Sequence, residues 1–214
     1  AIIPDENQKP HGLLESETER GGEAVLYAAR YTIEAPTRRE ELAHQRALAE
    51  KLLAYSLKRE HGLELSSLAQ SRTAAGKPYF PGCPVEYSLS HCRGLVCCAL
   101  SLSPVGVDAE APRTFSPALL RRVCTQEELS WLTAQQDQQQ AFLSLWTLKE
   151  SVMKLSGQGI GYGFQRASFT FPEGQPRFRE PGVRLSQFVL EGGTVVSAAG
   201  GEAFPNLQLV ELAL

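Results

Sequence analysis

Between Trp146 and Lys154, in the stretch Trp-Thr-Leu-Lys-Glu-Ser-Val-Met-Lys, an aromatic ring, a carboxylate and an ammonium recur every four residues. On a helix, Trp146, Glu150 and Lys154 share one face and point at a common target. Read alone, Glu150 and Lys154 are equally well a solvated ion pair worth about 0.3–0.5 kcal/mol. A second cluster changes the question. In Val105-Gly-Val-Asp-Ala-Glu110, strand alternation sets Gly106, Asp108 and Glu110 on one side and Val105, Val107 and Ala109 on the other. The two carboxylates then stand about 7 Å apart along the strand. Like charges that close disfavour each other unless a cation lies between them. A few oxygen ligands on a rigid strand suit Mg²⁺, which keeps waters and takes phosphate oxygens as further ligands. The plain alternative is a solvated strand end.

Two more groups have chemical potential. Gly76-Lys77-Pro78 demands a turn and presents Lys77 from it. Ser90 and His91 close an alternating run just before the turn Cys92-Arg93-Gly94. A lone histidine there is often a surface residue, but strand ends also present ligand contacts.

The elements that must position these groups follow from pattern. Leu145, Leu148, Val152 and Leu155 form an apolar stripe that buries the back of the helix carrying Glu150 and Lys154. Trp146 is either a packing anchor for that helix or a wall of the cleft, and the anchor is the preferred reading. A strand is predicted over 23–32. Pro36 and Thr37 then open a helix over 38–60, with Leu42, Leu48, Leu52, Leu53 and Tyr55 on its core face and Gly62 as its stop. Arg38, Arg39 and Arg46 lie in its first half, either as surface charges or near an anion at the helix start. Strands are predicted over 85–91, 95–102 and 105–110, and a helix starts at Ser116 or Pro117. A further helix starts at Thr125, where Glu128 completes a capping box. Short strands over 167–171, 187–190, 194–199 and 208–212 finish the chain. The glycines 157, 159, 161 and 163 do not make a dinucleotide fingerprint, and no phosphate-binding GxxxxGK[ST] loop occurs.

Composition bounds the classes. The 214 residues, 43% hydrophobic and 21% charged, suit one large or two small soluble domains. A net charge of −3 argues against a nucleic-acid binder, so any basic site must be local. Cys83, Cys92, Cys97, Cys98 and Cys124 have no zinc or disulfide spacing and read as reduced thiols. No apolar run is long enough to cross a bilayer, and the first residues lack the order of a signal peptide, so the cytoplasm is the expected location. The chain begins at Ala1 and not at a methionine, which leaves room for residues upstream. Residues 1–22 are polar, rich in Pro and Gly, and are expected to form a flexible extension.

Taken in order, Gly76-Lys77-Pro78, Ser90-His91, Val105 to Glu110 and Trp146 to Lys154 resemble the 4′-phosphopantetheinyl transferases, of the class typified by the enzyme that activates surfactin synthetase. The paired motifs G-[VI]-D-x-E and W-[ST]-x-K-E-[AS]-x-x-K carry the resemblance, which extends from about 23 to 212. It implies an α/β (α+β) fold, with a monomer of two similar halves, 23–107 and 108–214, related by a pseudo-two-fold axis around a cleft. It also implies coenzyme A as co-substrate, Mg²⁺ as cofactor, and transfer of the 4′-phosphopantetheine arm to a serine of an apo acyl or peptidyl carrier protein, releasing 3′,5′-ADP.

Residue by residue, the resemblance carries the metal ligands onto Asp108, Glu110 and Glu150 and the motif lysine onto Lys154. The phosphate-binding pair falls on Ser90 and His91, and the adenosine-side turn on Gly76, Lys77 and Pro78. Asp108, Glu150 and Lys154 are the expected catalytic set, with Glu150, Glu128 or a metal-held water as the base. For the 3′-phosphate the pattern departs before the first helix, and Arg46 is the first candidate, with Arg38 or Arg39 second. An acidic carrier is expected to dock on 113–123, where Arg113, Phe115, Leu119, Leu120, Arg121, Arg122 and Val123 mix positive and apolar groups. The competing readings are a Mg²⁺-dependent phosphodiesterase or hydrolase using the same carboxylates, and a non-catalytic carrier-binding relative. Neither a nucleic acid nor a membrane is an expected partner.

Overall fold

A computed structural model describes residues 24–32 and 37–212. The expected extension over 1–22 and the helix-opening Pro36 lie outside the described residues. In chain order the elements are β1 (Val25–Arg30), α1 (Arg38–His61), β2 (Ser71–Arg72), β3 (Pro78–Tyr79), β4 (Glu86–Cys92), β5 (Leu95–Ser101) and β6 (Val105–Glu110). They continue with α2 (Pro117–Val123), α3 (Gln126–Thr133), α4 (Gln138–Ser156), β7 (Phe169–Thr170), β8 (Arg177–Phe178), β9 (Arg184–Val189), β10 (Val195–Gly200) and β11 (Gln208–Leu209). This is the mixed α/β architecture that the sequence patterns require.

Two sheets lie face to face. The first has the order β11-β1-β5-β4 and the second β6-β10-β9. Between them Leu26, Ala28, Cys97 and Ala99 meet Val105, Val107, Ala109, Val196 and Ala198 in one buried cluster. Small and β-branched residues dominate here, so the sheets approach closely. The outer face of the first sheet, with Tyr27, Val96, Cys98 and Leu100, packs on Leu48, Leu52, Leu53 and Leu57 of α1. The outer face of the second, with Val195 and Ala199, packs on Leu145, Leu148 and Val152 of α4. Each fully buried leucine contributes about 1.5–3 kcal/mol. Buried on both faces, β5 is apolar from Leu95 to Leu100 instead of alternating.

Helix α1 starts where Thr37 caps it, its side chain accepting from Glu40 N, and stops at Gly62 as expected. The capping box of Thr125 and Glu128 forms at the start of α3. Among the described residues, strand β6 is an edge strand of its sheet, paired only with β10. Its outward N–H groups at Val107 and Ala109 donate to the hydroxyls of Ser88 and Ser90 on β4 at 3.0 and 3.1 Å. Ser88 and Ser90, two residues apart on one face of β4, thus join the sheets and cover an edge.

Two features qualify the expected halves. A division between 107 and 108 falls inside β6, and β11 returns to pair with β1 in the first sheet, in parallel, through Tyr27 with Gln208. Among the described residues, no helix is long and apolar enough to cross a membrane.

Candidate active site

The site begins with a missing side chain. A Cβ on Gly106 would stand 2.0 Å from the carbonyl oxygen of Ser151 and 2.4 Å from the amide nitrogen of Leu155. Only glycine lets the backbone of α4 press on β6 here. That contact brings the polar face of α4 over the polar side of β6. Ser90, His91, Asp108, Glu110, Trp146, Glu150 and Lys154 then line a single cleft of about 310 Å³.

Asp108 is its most enclosed carboxylate, 7% exposed. Its Oδ1 accepts from Lys154 Nζ at 2.8 Å and from Ser90 Oγ at 3.0 Å. Its Oδ2 is buried with no hydrogen-bond partner among the described residues. Glu150 carries a carboxyl pushed up to about 7, first by burial and then by the charge of Asp108, against the pull of Lys154. Glu110 is also raised, chiefly by burial, while Arg113, bonded to it at 3.2 Å, works the other way. His91 is lowered by burial and then by the cations Lys154 and Arg46, so its imidazole is held neutral.

Among the described residues, no three His, Cys, Asp or Glu side chains are gathered closely enough to hold a metal ion as they stand. The cation that Asp108 meets is the ammonium of Lys154. Three carboxylates on one cleft, burial and then mutual repulsion that raise two of them, and a buried oxygen with no partner among the described residues nevertheless form a donor set suited to a hard divalent cation.

A larger cavity of about 590 Å³ adjoins the cleft, sharing Leu89, His91 and Lys154 with it. Gly76, Lys77 and Pro78 line this cavity, as does Arg46. Gly76 holds φ at +90° in the turn between β2 and β3, a conformation that favours glycine. The Lys77 ammonium donates to the carbonyls of Val105 and Leu155, both at 3.2 Å, and so fastens the turn to β6 and the end of α4. Burial lowers its pKa. Arg38 and Arg39 are exposed on the first turn of α1 and are not among the lining residues, whereas Arg46 is. Arg72, which sequence reasoning passed over, also lines the cavity and donates to Gly76 O at 2.9 Å. Its position just ahead of the turn was the only signal.

Trp146 serves both as wall and as anchor, the two readings between which the anchor was preferred. It lines the cleft, stacks on Phe164 at 5.1 Å and lies near Phe115 and Phe142. Glu128 is corrected from a candidate base to a structural residue. Completely buried, it accepts from Thr125 N and Phe169 N and pairs at 2.8 Å with Lys149, itself completely buried. Lys149 also donates to the carbonyls of Phe164 and Ala167. In the segment 113–123, Phe115 and Val123 are buried, Leu119 and Leu120 are partly buried, and Arg113, Arg121 and Arg122 are exposed.

Residues 104–198 match the family model of the 4′-phosphopantetheinyl transferase superfamily. The 4′-phosphopantetheinyl transferase Sfp of Bacillus subtilis is 32% identical over 56% of this chain and 55% of its own. The 4′-phosphopantetheinyl transferase psf-1 of Bacillus pumilus is 30% identical over 65% of this chain and 61% of its own. A protein of Haemophilus influenzae provisionally given the same transferase name is 35% identical over 61% and 58%. The chain therefore spans little more than half the length of these curated relatives. Among solved structures, an acyl carrier protein synthase of Mycobacterium tuberculosis aligns with 46% of this chain and 95% of its own at 21% identity and a TM-score of 0.34. The matches relate this chain to the Sfp-like 4′-phosphopantetheinyl transferases through the segment that contains Asp108, Glu110, Glu150 and Lys154.

Proposed function

From that relationship we propose that the chain transfers the 4′-phosphopantetheine arm of coenzyme A to a serine of an apo acyl or peptidyl carrier protein, releasing 3′,5′-ADP. The observation that carries the reading is the convergence of Asp108 and Glu110 from β6 with Glu150 and Lys154 from α4 on one cleft, beside a larger cavity that Arg46, Arg72 and Lys77 help to line. A pyrophosphate ester is polyanionic, and its transfer requires positive charge where the leaving oxygen develops. Asp108, Glu110 and Glu150 would hold Mg²⁺, which when bound supplies Lewis-acid neutralisation of the pyrophosphate.

The chain's own groups do the rest. The large cavity takes the adenosine and 3′-phosphate end, with Arg46 as the cation for the 3′-phosphate. The neutral His91 and the charge of Lys154 stand at the junction of the two cavities, where the pyrophosphate would lie. The carrier serine attacks the β-phosphorus. A new P–O bond forms as the bridging P–O bond to 3′,5′-ADP breaks. Glu150 is the carboxylate assigned to accept the serine proton, a role usually worth about 10²–10⁴-fold in rate.

We place the enzyme in the cytoplasm as a monomer. Among the described residues all five cysteines are free, as a reducing compartment requires. The exposed Arg121 and Arg122 beside Leu119 and Leu120 suit an acidic carrier surface. Reversing both charges should raise KM for the carrier by about tenfold and leave coenzyme A binding unaltered. Equal kinetics in the reversed variant would move the docking surface elsewhere. The activity is tested by incubating apo carriers with coenzyme A and Mg²⁺ and looking for the added arm by mass spectrometry. Release of 3′,5′-ADP from coenzyme A with no carrier present would indicate a hydrolase instead.

A further inference from the structure

Helix α4 meets the second sheet at one close backbone contact, Ser151 and Leu155 against Gly106 of β6. One such point leaves a rod free to pivot, and the apolar stripe around it cannot prevent this, because hydrophobic burial is non-directional. A second fixed point lies on the next strand. Ser197 of β10 pairs in register with Asp108 of β6 on one side and with Gln187 of β9 on the other, so these three side chains form a row across the sheet on the face that α4 covers. Thr147 of α4 reaches this row. Its Oγ1 lies 2.7 Å from Ser197 Oγ and donates to Ser144 O at 3.0 Å. Gln187 Nε2 donates to Ser197 Oγ at 2.8 Å and to Ser144 O at 2.9 Å.

One assignment of these bonds uses every donor. Thr147 donates to Ser144 O, Ser197 donates to Thr147 Oγ1, and the two N–H groups of Gln187 go to Ser197 Oγ and Ser144 O. Thr147 and Ser197 are completely buried. A satisfied polar network in an apolar interior specifies one arrangement, because any slip leaves buried groups unpaired. Sliding α4 by a single residue is a movement of about 1.5 Å and would break all of it. Thr147 and Ser151, one turn apart, are therefore both pinned, and Glu150 lies between them. Neither Ser197 nor Gln187 is among the residues that line the cleft or the larger cavity, so whatever they contribute to the site passes through α4.

We propose that Ser197 and Gln187 are positioning residues for Glu150. Acting through the hydroxyl of Thr147 and the carbonyl of Ser144, they fix where α4 lies across β6 and β10, and so where its carboxylate stands in the cleft. The inference rests on the transferase reading made above and goes beyond it by placing a determinant of the rate on two strands that do not line the site.

The test measures transfer of the arm by the full chain to an apo carrier that the wild type modifies, with kcat and KM for coenzyme A determined separately beside the melting temperature. Ser197→Ala and Thr147→Val each remove one hydroxyl of the network. Each should lower kcat by about tenfold or more, since a misplacement of about 1 Å costs up to about 100-fold. KM for coenzyme A should stay within about twofold, because no binding group is lost. Gln187→Met removes both amide donors at similar length in a half-buried position, and gives the same reading if the other two variants do not fold. Thr147→Ser loses a buried methyl but keeps the hydroxyl. It should melt about 2–4 °C lower and retain the wild-type kcat, so that the rate follows the hydrogen bonds and not the stability. A wild-type kcat in folded Ser197→Ala, Thr147→Val or Gln187→Met overturns the proposal, as does an equal loss of kcat in Thr147→Ser. A wild-type chain that transfers no arm to any apo carrier overturns the transferase reading beneath it, an outcome distinct from variants that keep their rate.

Discussion

Glu150 is the residue at which charge, burial and function meet. Its carboxyl, pushed up to about 7, titrates far above its ordinary value of 4.5, with burial the larger cause and Asp108 the next. Because the folded value exceeds the unfolded one, the protonated form favours the fold. That contribution is full below the unfolded value and is lost as pH rises through about 7. In the presence of a chelator, the melting temperature should therefore fall between about pH 5 and 8, and Glu150→Gln should flatten the fall. His91 is lowered by burial and so works in the opposite sense, losing stability as pH drops below its ordinary range, and His91→Gln separates its share. An unchanged slope in Glu150→Gln would assign the titration to another group. The sequence revealed Glu150 through its four-residue spacing from Trp146 and Lys154, but the spacing alone described an ordinary ion pair. Its role depends on Asp108 and Glu110, which only the packing of α4 on β6 brings near.

Helix α4 is positioned by a glycine beneath it and a buried ion pair along it. Gly106→Ala would drive a methyl into the backbone of Ser151 and Leu155, and α4 would have to leave β6. A loss of about 3 kcal/mol or more is expected, at or beyond the upper end for overpacking, together with loss of Mn²⁺ binding. Chemical denaturation beside the metal titration checks both. Lys149 precedes Glu150 on the helix but points into the interior, tying α4 to Glu128 of α3 and to the carbonyls of Phe164 and Ala167. Lys149→Met should cost about 3–5 kcal/mol by leaving Glu128 buried and unpaired, and adding Glu128→Gln should recover part of it. If the single and double variants were equally unstable, lost packing rather than an uncompensated charge would be the cause. In the sequence, Lys149 is only the lysine that precedes Glu150 in the stretch from Trp146 to Lys154. Helical spacing puts it next to the face of Glu150 and Lys154, and only its neighbours determine which way it turns.

At the scale of the whole molecule, two helix-backed sheets meet face to face, and the two cavities are lined from both of them. Arg46 on α1 lines the larger cavity with His91 of β4, while Glu150 on α4 lines the cleft. Arg46→Ala should raise the dissociation constant for coenzyme A about tenfold, as expected for a lost charge-assisted bond. Arg38→Ala and Arg39→Ala, at exposed positions outside the lining, should change it by less than about twofold. Calorimetry on the three variants decides among them; equal effects would remove Arg46 from its special place. The sequence by itself determined the elements and most of the site. Alternation set Asp108 and Glu110 on one side of β6, helical spacing gathered Glu150 with Lys154, and cap and turn residues marked where α1 and α3 begin, because these are local properties of the backbone. The tertiary structure decided what each group does with its partners. It engaged the hydroxyl of Ser90 and the ammonium of Lys154 on Asp108, withdrew Glu128 into a buried pair with Lys149, and brought β11 back to β1. Hydrogen-bond capacity is small and is filled by whatever packs nearest, and in this protein those neighbours come from distant parts of the chain.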